Sequence, residues 1–215
     1  MIYHDEAVIL PETFEFLLQL QADPVLTDFF LVGGTAFALQ IGHRLSVDLG
    51  LFSQKTFDNS ALEDHLIMQH GFSADYVATN TLKGFIRGIK TDFLTHAYSL
   101  VKPLLQEESV ALASLEDIGA MKLNAIAHSG NRQKDFYDLY FLLEHLPLNE
   151  MLQAYTLKYP NSNLLIPLKG IAWFEDIDFL IEKPILKRKV SFQQVKDRLV
   201  ESTKFPDKIF ANRAR

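Results

Sequence analysis

The spacing of apolar residues changes period near the middle of the chain. From Glu12 to Gln21, Phe14, Leu17, Leu18 and Leu20 recur at helical intervals behind a proline at the first turn, which predicts a helix. Phe29–Val32 and Leu45–Leu51 predict strands around a short helix, Thr35–Gln40, and Ser60–Gln69 predicts a second helix ended by Gly71. In the second strand Leu45, Val47, Leu49 and Leu51 fill one face, so Ser46, Asp48 and Gly50 share the other. Three strand-like runs follow, Phe72–Ala78, Thr81–Ile86 and Ile89–Thr95, with Asn80 and Arg87-Gly88 marking hairpin turns. After Pro103 helical periodicity takes over, over Ser114–His128, Lys134–His145, Glu150–Lys158 and Val190–Ser202. The pattern predicts an α+β chain in two parts, an α/β domain over 1–105 and a helical domain over 106–215, with no flexible linker between them.

Composition narrows the setting. The 215 residues are 48% hydrophobic and 22% charged, enough for one large core or two small ones. Cysteine is absent, which excludes disulfides and thiolate metal sites. Acidic residues precede the first apolar segment and no basic n-region is present, so no signal peptide is expected. No stretch approaches the roughly 20 apolar residues of a membrane span. The expectation is a cytoplasmic protein without membrane contact. The net charge of −6 is unevenly spread: Lys183–Arg215 holds ten Lys/Arg against three Asp/Glu, a local balance of +7. Such a tail either meets a polyanion or forms an amphipathic helix that docks on acidic groups of its own chain.

Several residues could carry chemistry. A strand ending in Gly33-Gly34, followed by Thr35 and a helix, offers backbone N–H groups and a hydroxyl where a phosphate can bind; it can equally be an ordinary turn with Thr35 as N-cap. Asp48 is either a carboxylate for a phosphate-bound Mg²⁺ or the polar face of a half-exposed strand. Asp92, in GIKTDFLTH, supplies a second carboxylate to the same ion if its strand lies beside that of Asp48. Lys122 falls inside the apolar stripe Leu115, Ile118, Met121, Ala125 and Ile126. It either carries its ammonium out to solvent or meets a carboxylate or phosphate, and the cost of desolvating an unpaired ammonium favours a partner. Lys134, Asp135 and Asp138 gather in the first turn or so of the next helix, where the acids can serve the helix dipole, orient a lysine or act as a base. No HExxH, G-x-S-x-G or G-x-x-x-x-G-K-[ST] motif is present.

In this order, GGTAFALQIGHRLSVDL (33–49), GIKTDFL (88–94), DIGAMKLNAIA (117–127) and KDFYDLYFLL (134–143) resemble the AbiEii/AbiGii-type nucleotidyltransferases of abortive-infection and toxin–antitoxin systems. WFEDIDF (173–179) and the helix after it are similar to the family's C-terminal region. The resemblance implies a nucleotidyltransferase-like mixed β-sheet with flanking helices, and an appended helical domain that contributes Lys and Asp residues to the cleft. It implies Mg²⁺-dependent transfer of a nucleoside monophosphate from an NTP to a tRNA 3′ end or a protein side chain, with release of pyrophosphate. A cognate antitoxin is the implied partner. By motif match Gly33, Gly34, Thr35, Arg44 and Lys122 would hold the nucleotide and Asp48 and Asp92 the metal. Lys122, Lys134, Asp135 and Asp138 would complete the catalytic set.

One position departs from the family. Its strand motif is Asp-x-Asp, whereas this chain reads Asp48-Leu49-Gly50. Losing the second carboxylate should cost two-metal chemistry several kcal/mol, on the order of 10²–10⁴ in rate. Three readings stay open: a degenerate member that binds nucleotide, RNA or an antitoxin without turnover, a weak enzyme using Asp48 and Asp92, or a chain carrying a disabling change.

Overall fold

The computed structural model describes residues 1–181 and 183–211. The chain divides into two compact units, one of Met1–Ser99 with Pro103–Ala113, the other of Leu100–Lys102 with the chain from Ser114 onward. No helix among the described residues is long and apolar enough to cross a membrane.

The first unit is built on a seven-stranded mixed sheet. Its strands are β1 (Phe30–Val32), β2 (Leu49–Ser53), β3 (Ser73–Ala78), β4 (Thr81–Ile86), β5 (Ile89–Thr95), β6 (Leu105–Glu107) and β7 (Val110–Leu112), in the order β3-β4-β5-β2-β1-β7-β6. Three helices belong to this unit: α1 (Pro11–Gln21), α2 (Gly33–Ile41) and α3 (Asn59–His70). β2 runs antiparallel to β1 and parallel to β5, and β7 lies parallel to β1. The register aligns Leu112, Leu31, Leu51, Phe93 and Leu82 in one row across five strands, and none of the five is measurably exposed. Phe29 and Phe72 close on Phe93 with their rings, while α1 adds Phe16, Leu17 and Leu20 and α3 adds Leu62 and Leu66 to the core.

The neighbouring row faces the opposite way, because successive strand residues alternate sides. It reads Val32, Gly50, Asp92, Lys83 and Tyr76. The chemistry-bearing row is thus fixed by the packing of the apolar one, since a one-residue slip would exchange the two faces.

The β4–β5 hairpin turns through Arg87 and Gly88, both with positive φ, as a two-residue type I′ turn requires. β4 and β5 lie where the periodicity predicts them. The run expected as a strand over Leu45–Leu51 becomes β2 only from Leu49, because three ladder groups before it are engaged elsewhere. Ser46 N–H donates to the Val8 carbonyl at 2.8 Å, Arg44 Nη1 donates to the Leu45 carbonyl at 3.0 Å, and the Asp48 carbonyl accepts from Thr35. Val47, expected inside, is 40% exposed. β6, β7 and a 3₁₀ turn, Pro24–Leu26, were not predicted, since three-residue elements carry no readable period.

The second unit is helical: α4 (Leu115–His128), α5 (Gln133–Leu142), α6 (Leu148–Lys158), α7 (Leu165–Gly170) and α8 (Phe192–Lys204). Gly119 lets α4 approach its neighbours closely, since a Cβ there would stand 3.1 Å from both Leu142 on α5 and Met151 on α6. α8 opens on a capping box between Ser191 and Gln194 and buries Val195 and Leu199. Arg188 and Arg198 both pair with Glu144, so the docking alternative for the basic tail describes these arginines.

Asp117 explains why 100–102 belongs with this unit and why the division falls after Ala113 rather than at 105. Its carboxylate is completely buried and accepts from Lys158 Nζ at 2.7 Å, Ser114 Oγ at 2.8 Å and the backbone N–H groups of Val101 and Lys102. The β6–β7 hairpin meanwhile pairs with β1 in the first unit. Replacing Lys158 with Met leaves that carboxylate without its counter-charge. The expected loss is about 3–5 kcal/mol in denaturant unfolding, the usual range for breaking a buried pair by removing one partner.

Candidate active site

α2 opens on Gly33, whose φ of +71° only glycine adopts freely. Val32, not Thr35, occupies the N-cap position, and no side chain caps the first turn. The backbone donors of that turn are the groups an incoming anion would meet. Thr35 lies inside the helix, 2% exposed, with its hydroxyl 2.8 Å from Ser46 Oγ and donating to the Asp48 carbonyl. It therefore fastens the chain at Asp48 to the glycine turn. Gly34 is required by a close approach: a Cβ there would lie 2.0 Å from Nη2 of Arg44, which is itself 4% exposed. Arg44 thus has its guanidinium set against the backbone of the turn.

Asp48 stands exposed immediately before β2. Asp92 sits beside Gly50 in the β2–β5 ladder and opposite Lys83 in the β4–β5 ladder. Its Oδ1 is buried without a hydrogen-bond partner. Burial raises the Asp92 carboxyl above the ordinary aspartate value. The charges of Lys90 and Lys83 pull it down, and those of Asp48 and Asp75 push it up. A buried carboxylate oxygen with no donor suits a hard cation that takes one or two carboxylates and fills its shell with water and phosphate oxygens. Lys83 and Lys90 escaped the sequence reading. Lys90 shares a face with Asp92 at i, i+2 and was readable; Lys83 joins them only through the hairpin register.

The helical unit gathers its own predicted residues. Lys122, 8% exposed, sets Nζ 2.6 Å from Asp135 Oδ1 and 2.6 Å from Asp138 Oδ2. The acids lie three residues apart on one face of α5, and Arg132 completes the group with Nε at 3.0 Å and Nη2 at 2.9 Å from Asp135 Oδ2. Of the partners open to Lys122, carboxylates occupy it here. Lys134 is the one residue of α5 that is not buried.

Comparison with known proteins bears on this arrangement. Residues 15–180 match the family described as nucleotidyl transferase AbiEii toxin, of type IV toxin–antitoxin systems. The chain belongs to the AbiEii family. An uncharacterized protein of Aquifex aeolicus (strain VF5) is 33% identical over 158 residues, 71% of this chain and 76% of that protein. A crystal structure of a candidate nucleotidyltransferase from H. pylori superposes with a TM-score of 0.54 at 14% identity, over 95% of this chain and 96% of that one. That of JHP933 from Helicobacter pylori gives 0.53 at 15%, over 92% of each chain. The AbiEii chain thus shares its fold with both, one of them described as a nucleotidyltransferase.

The raised Asp92 carboxyl has a consequence for stability. The folded state holds that proton more tightly than the unfolded chain does. This contribution is therefore complete below the unfolded value and is lost as pH rises through the raised folded one. Asp92→Asn removes the ionisation. Its melting temperature relative to the native chain should climb across that window, and Mg²⁺ at neutral pH should narrow the difference by stabilising the native chain alone. Thermal melts at several pH values with and without Mg²⁺ check both.

Proposed function

We propose that this AbiEii protein is a nucleotidyltransferase that joins a nucleoside monophosphate to an acceptor hydroxyl and releases pyrophosphate. The observation that carries the reading is the buried, partnerless oxygen of Asp92 in the row that also holds Gly50, with Asp48 close enough to act on its charge. In this reading the first turn of α2 receives the triphosphate on its backbone N–H groups, with Arg44 set against Gly34 of that turn. Asp48 and Asp92 hold Mg²⁺. When bound, that ion supplies neutralisation of phosphate charge and a template for in-line displacement. Lys83 and Lys90 extend positive charge along the same sheet face. The acceptor oxygen forms a bond to the α-phosphorus as the α–β bond breaks, and the acceptor proton leaves to a carboxylate or to water. The acceptor is a tRNA 3′ end or a protein side chain, and a cognate antitoxin is the partner.

A second reading rests on Gly50. With the carboxylate of the family's Asp-x-Asp motif missing, the same fold can bind nucleotide, RNA or antitoxin without turnover. Space does not prevent a side chain there: a Cβ on Gly50 would meet Val32 Cγ2 at 3.5 Å and the Val32 carbonyl at 3.9 Å, both ordinary contacts. Incubating the protein with each of the four α-labelled NTPs, Mg²⁺ and total tRNA or protein should transfer label, and Asp92→Asn should abolish transfer. Gly50→Asp should raise it by about 10²–10⁴. Calorimetric NTP binding with no label transferred by either the native chain or Gly50→Asp decides for the binding protein.

A further inference from the structure

The first unit holds a second convergence of ligand-type side chains, formed by none of the residues above. Asp23 lies in the turn after α1, and His65 and His70 lie on α3. Both imidazoles direct Nε2 at the same oxygen, Asp23 Oδ2, at 2.7 and 2.8 Å. One ligand atom from each residue falls within 4.8 Å of the other two.

We propose that Asp23, His65 and His70 form a site for a borderline divalent transition ion of the Zn²⁺ class, which fastens the end of α3 to the turn after α1. The donor set is the first reason. Two imidazole nitrogens and a carboxylate oxygen suit Zn²⁺, which takes nitrogen and oxygen at about 2.0–2.2 Å, and suit Mg²⁺ poorly. A tetrahedral ion with such bonds sets its ligands about 3.3 Å apart. The present contacts need open by only about half an ångström, a shift within reach of side-chain rotation.

Support around the ligands is the second reason. The other oxygen of Asp23, Oδ1, accepts the Val25 N–H at 2.9 Å and fixes the carboxylate's plane. The His70 ring stands edge-on to Phe16 with centroids 6.1 Å apart, at the residue where Gly71, with φ +73°, ends α3. Their side chains are 24% (His65), 11% (His70) and 9% (Asp23) exposed, so solvent reaches the group and a water can complete four-coordination.

The two metal proposals differ in donor chemistry and are separable. The 215-residue chain, in excess Mg²⁺ added to fill the proposed all-oxygen site, is titrated with Zn²⁺ by calorimetry and with Co²⁺ by visible absorption. The expected result is one Zn²⁺ per chain and the intense visible bands of tetrahedral Co²⁺. The double variant His65→Gln/His70→Gln should lose more affinity than the roughly 10–100-fold typical of an outer-shell change. Imidazole ¹⁵N NMR of the native chain tests the same point without any substitution. Zn²⁺ should shift Nε2 of two of the seven histidines and abolish their Nε2–H signals. The proposal is overturned if no stoichiometric Zn²⁺ binds, if the double variant binds as tightly as the native chain, or if the Nε2–H signals of these two persist. Persistence would identify a metal-free His–Asp–His hydrogen-bonded trio.

Discussion

The sheet of the first unit depends on β2 being paired on both sides. One edge of this strand runs antiparallel to β1 and the other parallel to β5. That arrangement brings Asp92, more than forty residues away in sequence, beside Gly50, and it sets Gly50 in turn beside Val32 at the end of the strand that delivers the glycine turn. The driving force lies on the other face. The row from Leu112 to Leu82 is completely withdrawn from water, and burying each such side chain contributes about 1.5–3 kcal/mol. Apolar packing thus places a carboxylate where its own solvation is poor.

The two units treat buried charge differently. In the helical unit each buried carboxylate on α4 and α5 has a cation against it: Asp117 has Lys158, and Asp135 and Asp138 share Lys122. α5 could not otherwise be buried over nearly its whole surface while carrying two acids. In the sheet, Asp92 has lysines nearby but no donor on its buried oxygen. A fully partnered network holds shape, whereas an unpartnered group keeps capacity for something else.

Much of this was legible in the residues. β4 and β5 follow from alternation and turn residues, and the long helices α4, α5, α6 and α8 follow from their period. The burial of Lys122 follows from its place in an apolar stripe. The rest depended on contacts between distant segments. Nothing local reveals that the Asp48 carbonyl is held by Thr35, that Gly34 is small because Arg44 lies against it, or that the Val101 and Lys102 amides are captured by Asp117. Asp23, His65 and His70 were missed because 42 residues separate Asp23 from His65, and the i, i+5 spacing of the histidines matches no familiar ligand motif.

The space beside Val32 at Gly50 also has a genetic meaning. Every glycine codon becomes a codon for aspartate or glutamate through a change at its middle base alone. The Cβ that either product adds would meet only ordinary contacts. One base change at this codon therefore exchanges an empty position for a carboxylate beside Asp92 in the β2–β5 ladder.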